Sequence, residues 1–101
     1  DAIILPYIIR YNEQNETAKE VYAKFEKRIG AENLHEAVEA LNEKLNIPKC
    51  FKEIIPDEEK YMAKLDEMAP LAKADGCTKT NPVIPEIDEF KELFIKVYRG
   101  E

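Results

Sequence analysis

A single histidine, two cysteines and three glycines in 101 residues already narrow what this chain can do. A catalytic metal site with several protein ligands, such as the three usual for zinc, is hard to assemble from His35 and scattered carboxylates. That histidine would also be the only base for a hydrolase triad. Neither a nucleophile elbow nor a glycine-rich phosphate-binding loop is present. Cys50 and Cys77 stand far apart without neighbouring ligand types, which fits neither a zinc knuckle nor a redox C-x-x-C pair. A disulfide between them is not needed at this size, so reduced thiols in a cytoplasmic protein are expected. Long apolar runs are lacking too: the run at Ala2–Ile9 is too short to cross a bilayer, and no basic region precedes it, which speaks against a membrane span or signal peptide. Cations are outnumbered, 15 Lys and Arg against 21 Asp and Glu, for a formal charge of -6 and a pI near 4.9. An acidic surface repels nucleic acid and anionic membrane, so neither is an expected partner.

What is present favours helices. The apolar fraction is 45% and the charged fraction 36%, with Ala, Leu, Glu and Lys outnumbering beta-branched residues. The length suits a single domain over 1–101. Its first dozen residues, Asp1 to Asn12, leave no polar face and call for cover on every side. A start on Asp1 rather than Met suggests a cut or truncated product. The first helix is expected to end near Asn12, before the polar break Asn12-Glu-Gln-Asn-Glu16. Thr17 with Glu20 reads as a capping box for the next helix, which Gly30 ends and whose apolar face is Val21, Tyr22, Phe25 and Ile29. Asn33 with Glu36 caps a third helix. Asp57 opens a longer one over Glu58–Ala74, with a kink or break expected at Pro70. Cys77 to Pro85 reads as an irregular loop, and Pro85-Glu86 begins a last helix bearing Ile87, Phe90, Leu93, Phe94 and Val97. The expected fold class is all-α, a bundle of about five or six helices with the first one central.

Most reactive side chains have ordinary explanations. Met62 and Met68 fall at helical spacing and read as core, His35 as a solvated residue, and Asp57, Glu58 and Glu59 as carboxylates favoured at a helix start. Two places rise above this background. Arg10-Tyr11-Asn12 ends an apolar helix with groups that need partners, which reads first as a structural clamp. Cys77 to Pro85 places a thiol, hydroxyls and an amide on irregular backbone, where a binding role and a plain connector weigh equally.

At these places the sequence resembles the C-terminal part of the iron-containing (group III) alcohol dehydrogenases. The family pattern H-G-x-x-N-A-x-x-L-P-x-V-x-x-x-N is followed from its Asn onward by Asp1, Ala2, Leu5, Pro6, Ile8 and Asn12, with Asp1 in place of Asn. Leu45-Asn46-Ile47-Pro48 is similar to the family's L-G-I-P, and Lys64 to Ala69 to one of its helices. Cys77-Thr78 through Asn81-Pro82 matches C-T-x-x-N-P, with Val83 where Arg is usual. The wording is nearest to the alcohol dehydrogenase half of bifunctional aldehyde-alcohol dehydrogenases.

The resemblance implies the C-terminal helical subdomain of a dehydroquinate synthase-like iron alcohol dehydrogenase. Its dinucleotide-binding domain and its one Asp and three His metal ligands would lie upstream. On this reading the chain holds no catalytic residue and no metal ligand. Fe2+ or Zn2+ and NAD(P) would belong to the intact enzyme, whose remainder is the expected partner, with a homo-oligomer left open. Cys77 and Asn81 would line the substrate pocket, and Leu5, Pro6, Arg10 and Asn12 would belong to a structural helix of the cleft. The alternative is a stand-alone helical interaction module that buries its first helix against a partner.

Overall fold

A computed structural model describes residues 2–101 and places seven α-helices and one 3-10 turn, with no strand among the described residues. They are α1 (Leu5–Asn12), α2 (Glu16–Ile29), α3 (Leu34–Lys44), α4 (Glu58–Ala63), α5 (Leu65–Ala74), α6 (Gly76–Lys79) and α7 (Ile87–Arg99), with the 3-10 turn at Phe51–Glu53. The all-α expectation holds. The count exceeds five or six because one expected helix is two and one expected loop contains a helical turn.

Local rules account for most boundaries. The Asn33 side chain accepts from the Glu36 amide at 3.2 Å, and Asp57 accepts from the Lys60 amide at 3.1 Å. Both satisfy an otherwise free donor at a helix start. For α2 the cap is Asn15, which accepts from Ala18 at 2.9 Å, and not Thr17. Asn is the stronger N-cap residue, and it begins the helix two residues earlier. The break expected at Pro70 falls instead at Lys64, which both ends α4 and begins α5. Pro70 itself lies within α5, where it leaves the helix without one amide donor. The Cys77 loop is shorter than expected, because Asp75 accepts from the Cys77 amide at 2.8 Å and starts the one-turn α6.

The two densest packings join α1 to α3 and α5 to α7. Tyr61, Leu65 and Tyr98 form the core cluster, with Phe51, Met62, Met68, Phe94 and Ile95 against it. The Tyr61 and Tyr98 rings lie 4.4 Å apart, and their hydroxyls donate to the Phe94 and Ile55 carbonyls at 2.8 and 2.7 Å. Ala69 is fully covered. First-helix cover comes from inside the chain: Pro6, Tyr7, Ile9 and Asn12 are buried, although Leu5 remains exposed. The α2 face fares differently. Val21, Phe25 and Ile29 are 43%, 53% and 59% exposed, so their period marks an apolar face that α3 leaves open.

Gly30 and Gly100 end α2 and α7 with φ of 71° and 77°, where a side chain is strained. A Cβ on Gly30 would meet open space, whereas one on Gly100 would lie 3.4 Å from the Cys50 Cβ. Gly30→Ala is therefore expected to cost about 1 kcal/mol. Gly100→Ala should cost more than that, as read from the midpoints of parallel urea titrations.

Candidate functional site

The end of α1 and the segment after α6 meet through a pair of side-chain amides. Asn12 Nδ2 donates to Asn81 Oδ1 at 3.0 Å, and Asn81 Nδ2 donates to Asn12 Oδ1 at 2.7 Å. Sixty-nine residues of sequence separate the two. Asn12 is 3% exposed, a burial its polar amide tolerates only because it is paired. Its second amide hydrogen goes to Tyr22 Oη at 3.2 Å, and that of Asn81 goes to the Val83 carbonyl. Beside this pair Asn15 donates to the Pro82 carbonyl at 3.3 Å. A hollow of about 360 Å³ adjoins it, lined by Asn15, Ala18, Val21, Tyr22 and Pro82.

The structure thus brings Asn12 and Asn81 together. Cys77, on the same segment as Asn81, is an exposed free thiol in α6, and Thr78 Oγ1 donates to the Ala72 carbonyl at 2.6 Å to hold the segment against α5. Pro6 is buried and Leu5 exposed at the opposite end of α1. Arg10 points outward with its guanidinium 5.5 Å from the centre of the Tyr7 ring. Asp1 lies outside the described residues. Asn15, Tyr22 and Glu89 were not anticipated at this site; the polar run Asn12–Glu16 was the one available signal for Asn15.

Charge around α1 is arranged by tyrosines and carboxylates. Tyr11 Oη donates to Glu89 Oε2 at 2.9 Å. Burial and then that bond push the Tyr11 phenol up to about 12. Glu89 is held below the usual carboxylate range, first by the Glu86 amide and then by Tyr11. Burial, followed by the nearby Cys50, also raises Tyr7, whose hydroxyl donates to the Lys49 carbonyl at 2.9 Å. A cleft of about 740 Å³ opens beside it, lined by Pro6, Tyr7, Glu39, Asn42, Ile47 and Lys49 among others. This cleft adjoins the start of α1, away from the amide pair.

His35 is not a solvated residue. Its side chain is 15% exposed, with Glu13 and Glu39 at 4.0 and 3.7 Å, and Nδ1 is buried without a hydrogen-bond partner. The two carboxylates approach different ring nitrogens, so they do not converge on one point with the imidazole. Among the described residues, no three His, Cys, Asp or Glu side chains gather as a metal site. The donors present do not fit an iron or zinc centre. No helix among those residues is long and apolar enough to cross a membrane.

Comparison with known proteins supplies the context for this geometry. The family model described as Fe-containing alcohol dehydrogenase family, C-terminal, matches residues 1–98. The alcohol dehydrogenase of Thermococcus barophilus is 38% identical, covering 97% of this chain and 26% of that protein. The NADPH-dependent butanol dehydrogenase of Clostridium saccharobutylicum is 36% identical over 99% of this chain and 28% of its own length. The bifunctional aldehyde-alcohol dehydrogenase of Escherichia coli (strain K12) is 27% identical, with 14% of its length covered. Among solved structures, an iron-containing alcohol dehydrogenase from Thermococcus thioreducens matches with a TM-score of 0.91 and 39% identity, over 99% of this chain and 27% of that one. The chain therefore spans about a quarter of the length of its first two curated relatives.

Proposed function

The chain belongs to the C-terminal part of the Fe-containing alcohol dehydrogenase family, and from that premise we propose that its helices wall the cleft of an enzyme interconverting alcohol and aldehyde by hydride transfer with NAD(P). The observation that carries this reading is the helical correspondence with an iron-containing alcohol dehydrogenase over nearly the whole chain. Fe2+ or Zn2+ and the nucleotide are held by other parts of the enzyme. The single histidine and the absence of a metal-holding cluster among the described residues support that division.

The remainder of the dehydrogenase is the partner on which these helices dock, in a cytoplasmic protein. Free Cys50 and Cys77 suit a reducing compartment. Exposed Val21, Phe25 and Ile29 suit a surface that is covered in the whole protein. Cys77 lines the substrate pocket from its exposed place in α6. The alternative, a module that buries its first helix against a partner, is not favoured by the cover that α1 already has within the chain.

Supplied with NAD(P), Fe2+ and short alcohols, the 101-residue chain should show no turnover. A chimaera carrying it in place of the matched quarter of the Thermococcus barophilus enzyme should show metal-dependent alcohol oxidation. Turnover by the chain alone, or a folded but inactive chimaera, would overturn the reading.

A further inference from the structure

We infer that Asn12 is a positioning residue, acting through Asn81 to fix the segment that carries Cys77, and that Asn81 serves this lock instead of facing substrate. The inference rests on the pocket role proposed for Cys77, but the lock itself is visible without it.

The two side chains use all four of their amide hydrogens. Each gives one to the other's oxygen, Asn12 gives its second to Tyr22, and Asn81 gives its second to the Val83 carbonyl. An asparagine with both hydrogens committed has no donor left for an alcohol or aldehyde oxygen. The segment is also held at its other end, where Thr78 bonds the Ala72 carbonyl and Asp75 receives the Cys77 amide. Asn15 holds Pro82 as well. Cys77 thus adjoins the anchorage on α5 and precedes the one on the end of α1 and the start of α2, and its thiol stays exposed. Burial makes the second anchorage stringent, because removing one amide strands the polar groups of the other.

Hydrogen exchange on the 101-residue chain tests the lock, and kinetics of the chimaera test its consequence. Asn12→Ala or Asn81→Ala should speed amide exchange over residues 77–83 by about tenfold while α5 and α7 keep their protection. The double variant should add little further, as expected for groups that act as one unit. In the chimaera either substitution should raise KM for the alcohol and leave KM for the nucleotide unchanged. Unchanged exchange over the segment, an equal rise throughout α5 and α7, or a fall in kcat with KM for the alcohol unmoved would overturn the inference. Should Asn12→Ala not fold, the half-buried Asn81→Ala supports the same comparisons. An inactive unsubstituted chimaera would count against the dehydrogenase reading and the positioning role together, while exchange would still decide the lock.

Discussion

Tyr98→Ala is expected to lower the midpoint of this chain's thermal transition by roughly 20 °C, as followed by far-UV circular dichroism. Tyr98 is the largest fully covered side chain, stacked on Tyr61 and bonded to the Ile55 carbonyl. Truncation removes the ring that joins α7 to the core cluster and leaves an aromatic-sized cavity. It also strands the Ile55 carbonyl. Losing such a side chain takes away on the order of half the stability of a domain this size. Tyr98→Phe keeps the ring and isolates the hydrogen bond, so it should lower the midpoint by less. An unshifted melt for the alanine variant would show that the core does not depend on this ring.

Alkali should have the next largest effect. Four of the five tyrosines have phenols raised above the ordinary value of 10.0, with Tyr11 and Tyr61 at about 12. Burial is the first cause in each case; Tyr98 adds to it at Tyr61, and Glu58, Asp57 and Cys50 add to it at Tyr98. The unfolded chain gives up its phenolic protons near pH 10 while the folded chain still holds them. Stability from these groups is therefore complete below pH 10 and is lost as pH rises through 10 toward about 12. Tyrosinate absorbance and helical ellipticity, recorded on one sample, should change together in that window. Phenols ionising near pH 10 with the helical signal intact would contradict the coupling.

Where the fold obeys short-range rules, it was legible in the sequence. Asn33 with Glu36, Gly30 and Asp57 depend on neighbours within a turn or two and appear as expected, as does the buried stripe of the last helix at Phe90, Leu93 and Val97, whereas its first member, Ile87, stays exposed. Competition between rules was harder to read. Asn15 displaced Thr17 as the cap of α2, and the helix expected to break at Pro70 divides at Lys64 instead. Most elusive was anything set by distant sequence. The amide pair unites positions 69 residues apart, and each asparagine alone reads only as a helix end or a loop. The spacing of Val21, Phe25 and Ile29 likewise marked an apolar face without revealing that the chain would leave it open.

That open face bears on the order of assembly. The core around Tyr61, Leu65 and Tyr98 closes without the α2 surface, so its packing does not depend on anything laid against Val21, Phe25 and Ile29. On the reading proposed above, such a piece is a prefabricated part of a longer enzyme, able to take its shape before it is installed. Errors made at installation would then leave it intact but misplaced.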